Sequence, residues 1–167
     1  KMIRRATITD IDDIMGIVSD AQQALRELGI DQWQDGYPSK EVIHGDIEAG
    51  VGYVYTLNTM VIGYAAIVLT KEDTYLQISD DEWGTGDDYV VVHRLCVKQG
   101  SRRNGIAVSL MRHAKKLALE VGYTGFRIDT HRGNIRMLAM MTRLVFKYRG
   151  IIHYDSGERM AYDMKLD

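Results

Sequence analysis

The chain has 167 residues, 46% hydrophobic and 26% charged, and a formal net charge of −2 at pH 7. That length suits a single domain spanning residues 1–167, and the charge balance excludes a general nucleic-acid binder, which carries a basic surplus. No apolar run approaches the roughly 20 residues that span a bilayer, the N-terminus does not resemble a signal peptide, and the lone Cys96 permits no intramolecular disulfide, which together point to a cytoplasmic protein without a membrane partner.

Ile3 to Ala6 reads as a first strand. Thr9 or Asp10 offers an N-cap for a helix with apolar positions at Ile11, Ile14, Met15, Val18, Ala21, Leu25 and Leu28, and Gly29 fits as its stop. A polar, aromatic stretch follows, Gln32-Trp33-Gln34-Asp35-Gly36-Tyr37-Pro38, and Ser39 is placed to cap a second helix running through Val42, Ile43, Asp46 and Ile47 to Gly50. Tyr53–Leu57 and Met60–Thr70 then read as strands joined at Asn58-Thr59. Between Lys71 and Asp88 the pattern is weak, with a short apolar piece, Tyr75 to Ile78, before an acidic loop. Tyr89–Val97 is dense in β-branched and aromatic residues, as a buried strand is. From Ile106 to Val121 apolar residues fall at helical spacing (Leu110, Met111, Ala114, Leu117, Ala118). Phe126–His131 alternates as a strand, Asn134–Leu144 is helical, and Lys147–Tyr154 and Met160–Leu166 close the chain as strands around Asp155-Ser156-Gly157. The order predicts an α+β fold, a mixed and mostly antiparallel sheet flanked by helices.

The junction after the Tyr89–Val97 strand carries the chemistry. A strand that turns through Arg102-Arg103-Asn104-Gly105-Ile106-Ala107 into a helix presents backbone N–H groups and the positive end of a helix dipole, which together suit a phosphate or pyrophosphate. Gly105 lets the backbone approach such a ligand, and Ala107 keeps the first turn slim.

With that loop in that setting, the chain resembles the GNAT acyltransferase family over nearly its whole length. The family's pyrophosphate loop reads Gln/Arg-x-x-Gly-x-Gly/Ala, which Arg102, Gly105 and Ala107 satisfy, and Asn134 at a strand-to-helix turn matches the second cofactor segment. The Gln-Trp…Tyr-Pro stretch at Gln32–Pro38 resembles one bacterial subgroup. The resemblance implies the GNAT fold and transfer of an acetyl (or longer acyl) group from acetyl-CoA to an amine by direct attack on the thioester, with no metal. It implies pyrophosphate binding by Arg102, Arg103, Asn104, Gly105, Ile106, Ala107 and Val108. It also implies pantetheine pairing with main chain at Leu95, Cys96 and Val97, in the manner of an added strand, with an N–H near Leu95 or Cys96 as oxyanion donor. Asn134 joins that cofactor set.

Two departures stand out. Many members place a tyrosine where this chain has Met141, and a thioether cannot protonate a leaving thiolate. The histone-acetyltransferase branch places a glutamate where this chain has Val91. Period-two geometry puts Val91, His93, Leu95 and Val97 on one strand face, so His93, which belongs to the residue type that titrates near neutrality, is the candidate base. It otherwise reads as a hydrogen-bonded structural histidine. Asp129, with His131 beside it, is a second candidate, or else holds an arginine. Cys96 reads as a buried small hydrophobe and not as a nucleophile. Gln32, Trp33 and Tyr37 are candidates for the acceptor site, with Trp33 alternatively plugging the helix pair. Asp80, Asp81, Glu82, Asp87 and Asp88 either attract a cationic amine or form a solvated loop. The acceptor is a small-molecule or protein amine, and a homodimer is compatible with the exposed sheet edge. The competing reading is a non-catalytic acyl-CoA-binding or regulatory module, because both family acid and family base are missing.

Overall fold

In the computed structural model, which describes residues 2–69, 75, 78–79, 82–101 and 104–167, helix stops and hairpin turns fall where backbone chemistry demands them. Helix α1, Ile11–Glu27, is followed by Leu28 and then by Gly29 at φ +74°, the left-handed position that ends helices. Helix α2, Lys40–Glu48, starts where the Ser39 side chain accepts the Val42 N–H. Strands β2, Gly52–Leu57, and β3, Met60–Val68, meet at Asn58 (φ +50°) and Thr59 (φ +66°), the twin left-handed residues of a two-residue hairpin turn.

The remaining elements are β1 (Met2–Arg5), β4 (Ile78–Ser79), β5 (Tyr89–Val97), α3 (Ile106–Glu120), β6 (Gly125–Thr130), α4 (Ile135–Arg143), β7 (Lys147–Tyr154) and β8 (Gly157–Lys165). The eight described strands are ordered β1-β2-β3-β5-β6-β8-β7-β4 in one sheet. Of the registers described, only β5–β6 is parallel. This is the mixed, mostly antiparallel α+β arrangement that the sequence pattern predicts. No helix among the described residues is long and apolar enough to cross a membrane.

The chain clusters into two compact units, residues 1–68 with 92–113, and residues 69–91 with 114–167. In the first, the apolar stripe of α1 (Ile11, Ile14, Ile17, Val18) packs with Ile43 of α2 and with Val54, Val61, Tyr64 and Cys96 of the strands. Burying these side chains at about 25 cal/mol per Å² of apolar surface is the main force holding α1 and α2 in place. Met15 and Ala21 are only half-buried, whereas Ile17, absent from the expected stripe, is 2% exposed. In the second unit, Tyr75, Tyr89, Val91, Ile152 and Ala161 form a core of their own.

Asp10, one of the two expected cap positions, is the residue that precedes α1, but its side chain makes no capping bond to the helix. A single 3-10 turn, Ile8–Asp10, precedes the helix, and the Asp10 carboxylate reaches back to accept the Thr7 N–H at 2.7 Å. The same carboxylate takes a two-pronged bond from Arg4 on β1 (2.8 and 2.9 Å). The Arg4 bond, partly opposed by burial, holds the Asp10 carboxyl below its ordinary value. Because the folded pKa is depressed, this stabilisation is present above the unfolded carboxylate value of about 3.9 and is lost as pH falls through the folded value. Asp10→Asn is expected to cost about 1 kcal/mol at pH 7, a modest figure because Arg4 is partly solvated. The difference in melting temperature between variant and wild type should shrink as the pH drops below about 4.

One sequence-based boundary also moves. The last hairpin closes over Asp155 and Ser156 alone, so β8 begins at Gly157 and not at Met160. Much of the weakly patterned stretch between Lys71 and Asp81 lies outside the described residues.

Candidate active site

The β5–α3 junction is built as its sequence requires. Gly105 has φ +72°, where a Cβ costs roughly 1–2 kcal/mol, and its carbonyl accepts the Ser109 N–H at 2.9 Å as the first bond of the α3 ladder. The N–H groups of Ile106, Ala107 and Val108 therefore precede that ladder and are first-turn donors by helix geometry. Together with Asn104 and Gly105, they form the described part of the expected pyrophosphate loop. Arg102 and Arg103, expected beside them, lie outside the described residues.

A residue that the sequence pattern leaves unremarked sets the position of this helix end. Gly63, in the middle of β3, has no side chain because α3 lies against it. A Cβ built there would stand 2.7 Å from Ile106 Cγ2 and 3.3 Å from both Leu110 Cδ1 and Tyr55 Cβ.

Strand β5 holds a second surprise. Arg94 has φ +55°, the left-handed region that non-glycine residues rarely occupy, at a cost of order 1–3 kcal/mol. Arg94 and Cys96, which the two-residue alternation places on one strand face, both meet Tyr64: the Arg94 guanidinium shares the Asp46 carboxylate with the Tyr64 hydroxyl, and Cys96, 5% exposed, packs among Ile14, Ile43 and Tyr64. A packed thiol of this kind is a small hydrophobe. His93 itself is half-buried, immediately before the kink.

The Arg94 guanidinium is held by a buried network. Its Nε and Nη2 donate to Asp46 on α2 at 2.8 and 2.6 Å, the Tyr64 hydroxyl donates to the same carboxylate at 2.6 Å, and Nη1 donates to the Tyr37 hydroxyl at 2.9 Å. Burial opposes the Arg94 charge, but Asp46 and Tyr37 outweigh it, and the guanidinium is held more firmly protonated than usual. Burial, reinforced by Asp46, pushes the Tyr64 phenol well above its ordinary value. Asp46 was legible in principle, since it falls three residues after Ile43 on the apolar face of α2 and is only 7% exposed.

The same network anchors the aromatic stretch between α1 and α2. Tyr37, 40% exposed, has its hydroxyl tied to Arg94 and its carbonyl tied to Gln22 of α1 at 2.9 Å. Its ring meets Trp33 edge-on, with centroids 6.5 Å apart. Trp33 packs against the α1–α2 core and so supports the helix pair, as its structural reading requires. Gln34 stitches the loop to α1, donating to the carbonyl of Gln22 and accepting from Arg26 (both 2.9 Å). Gln32 presents a buried side-chain carbonyl with no hydrogen-bond partner among the described residues.

Two further sequence candidates belong to the second unit. Asp129 is half-buried and its Oδ2 accepts from the hydroxyls of Tyr75 and Tyr154, the latter at 2.8 Å; two tyrosines, and no arginine among the described residues, hold it. Its neighbour His131 accepts the Gly133 N–H at Nδ1, 2.9 Å. Asn134 caps α4 by accepting the Met137 N–H at 3.2 Å. Met141, at the position of the family tyrosine, is fully buried and is core. Of the acidic run, Asp80 and Asp81 lie outside the described residues, and Glu82, Asp87 and Asp88 are exposed. Among the described residues no group of three or more His, Cys, Asp or Glu side chains is placed to hold a metal ion.

Against this geometry, the sequence profile of the acetyltransferase (GNAT) family matches residues 19–146. This chain belongs to the GNAT family. The fold agrees: a GNAT-family acetyltransferase from Streptococcus agalactiae superposes with a TM-score of 0.90 at 31% identity, over 99% of this chain and 95% of that one. A GNAT-family acetyltransferase from Listeria monocytogenes gives 0.75 at 23% identity, over 99% and 94%. The PaiA N-acetyltransferase from Thermoplasma acidophilum, solved with coenzyme A, gives 0.72 at 17% identity, over 99% and 98%. No curated protein matches the chain by sequence at a significant level. As a GNAT protein, the chain has its strand–loop–helix junction inside the segment that the family profile covers.

Proposed function

We propose that this GNAT protein is an N-acetyltransferase that moves an acetyl group from acetyl-CoA to a primary amine. The observation that carries the reading is the Asn104–Val108 turn, where Gly105 at φ +72° opens a helix whose first N–H groups are disposed for an anion. Main-chain donors suit a pyrophosphate, so the residues present fit the cofactor. The parallel register of β5 with β6 ends at Val91↔Arg127, while β5 itself continues to Val97. Backbone groups at Leu95–Val97 thus lie beyond the last described pairing with β6, which supports their use by an added strand-like ligand. A match to a neighbour solved with coenzyme A agrees with this assignment.

When bound, acetyl-CoA supplies an activated acyl group on an acidic thiol, so the protein needs no nucleophile of its own. Its contributions are position, a base for the acceptor ammonium and a donor for developing charge on oxygen. His93 is the proposed base in the first unit, and Asp129, with one oxygen already engaged by two tyrosines, is the second candidate. Gln32, Trp33 and Tyr37 are proposed to wall the acceptor cleft, with the unpartnered Gln32 carbonyl available to an amine N–H.

A thiol-release assay with acetyl-CoA and a panel of primary amines tests the reading. Release that depends on the amine is expected; coenzyme A binding without release for any amine would instead favour the regulatory module. For the base, His93→Ala is expected to lower kcat/KM about 100-fold and to change the shape of the pH–rate profile. An unchanged pH profile would eliminate His93.

A further inference from the structure

We propose that Asp46 is a positioning residue for the donor-binding strand: acting through Arg94, it holds the left-handed kink in β5 that directs the main-chain groups of Leu95–Val97. The proposal rests on the reading of β5 as the strand that receives the acyl donor.

Three observations carry it. First, β5 is extended on either side of a residue at φ +55°, and that residue is arginine, although glycine adopts this conformation without a steric penalty. Something outside the local backbone must therefore favour it. Second, the Arg94 side chain is 15% exposed and engages Asp46 through two parallel bonds at 2.8 and 2.6 Å, a planar fork that restricts orientation as well as distance. Third, Asp46 is itself buried and anchored. It sits on α2, 7% exposed, and accepts from Tyr64 of β3 at 2.6 Å, so the fork is anchored both to a helix and to the sheet. Arg94 is followed directly by Leu95 and Cys96. A rotation at residue 94 turns the following peptide planes, and with them the N–H groups proposed to meet the thioester. Asp46 touches none of the reacting atoms in this scheme; it acts only through Arg94.

Glycine provides the test, because it can hold the kink without the lock. Asp46→Asn keeps volume and an acceptor for Tyr64 but abolishes the charge-paired fork. In the full-length protein it is expected to weaken coenzyme A binding about tenfold by calorimetric titration, and to speed amide hydrogen exchange at Leu95–Val97 without ligand. In Asp46→Asn/Arg94→Gly, both should return toward wild type, together with KM for acetyl-CoA. KM for the amine should rise in the double variant, because removing the Arg94 side chain removes the tether of Tyr37. The proposal is overturned if the double variant stays as weak as Asp46→Asn. It is also overturned if Asp46→Asn lowers only the melting temperature and leaves affinity and exchange untouched. Should Asp46→Asn fail to fold, the double variant alone decides, with wild-type-like affinity supporting the lock and weak affinity removing it. Should the wild type bind no coenzyme A, the donor reading fails, and the exchange arm still tells whether Asp46 holds the strand.

Discussion

Gly63→Ala is expected to raise KM for acetyl-CoA about tenfold and to destabilise the fold by about 1–3 kcal/mol, an effect large for the addition of one methyl group. The new Cβ would lie 2.7 Å from Ile106 Cγ2, a contact that side chains do not tolerate, with Leu110 and Tyr55 closing the other approaches at 3.3 Å. Ile106 is branched at Cβ and 3% exposed, so it has no open space into which to rotate. The strain must therefore be relieved by moving the first turn of α3 outward. That turn holds the N–H groups assigned to the pyrophosphate, and displacing preorganised donors by a few tenths of an ångström weakens every bond they make. Steady-state kinetics and thermal melting would measure the two effects. The clash is specific to the β-branch, so adding Ile106→Leu, which lacks Cγ2, should recover part of the lost affinity. A Gly63→Ala enzyme with wild-type KM would show that the close packing of β3 on α3 does not set the loop.

Asp163→Ala is the second large effect, in the other unit. This carboxylate, 0% exposed, collects four donors: the N–H groups of Gly84 and Thr85 (2.8 and 3.0 Å), the Thr85 hydroxyl (3.0 Å) and Arg149 Nε (2.8 Å). Around the same loop, Arg127 donates to Thr85 Oγ1 and to the carbonyls of Thr85 and Gly86, and its guanidinium stacks over Tyr89 and Trp83 at 4.0 and 4.4 Å. Burial lowers the pKa of Arg127, so the charge is retained at a cost that these carbonyls and rings offset. Removing Asp163 leaves buried donors without an acceptor and Arg149 without its partner, for about 3–5 kcal/mol. In a protein of this size that corresponds to a fall in Tm of roughly 6–20 °C. Asp163→Asn, which keeps one carbonyl acceptor, should fall between. A Tm for Asp163→Ala matching that of the wild type would refute the assignment of this residue as the anchor of the loop.

Both effects turn on residues that the chain's local pattern does not mark, and the contrast with what it does mark is instructive. The stop of α1 at Gly29, the Ser39 cap, the Asn58-Thr59 turn, the extent of β5 and the start of α3 after Gly105 are all set within a few residues of where they occur. A left-handed φ, a capping oxygen or an alternating apolar run announces itself locally, and the strand–loop–helix junction that leads to the GNAT family is made of such signals. The family's departures at Met141 and Val91 are equally visible, because they need only a residue type at a position.

The interior of the site follows other rules. Arg94 lies in a run that reads as a plain strand, and nothing in that run announces its left-handed backbone. Its partner Asp46 is 48 residues away in sequence, and Asp163 meets Gly84 across 79. Gly63 goes unremarked in the strand pattern until Ile106 is placed against it. The sequence by itself therefore determined the order of the elements, the strand–loop–helix turn and the family. Only the tertiary structure decided which buried charges find each other, where two backbones touch and which way β5 turns past Arg94. The physical reason is that capping, turn chemistry and periodicity act between neighbours along the chain, whereas ion pairing and close packing act between surfaces that exist only once the chain has folded.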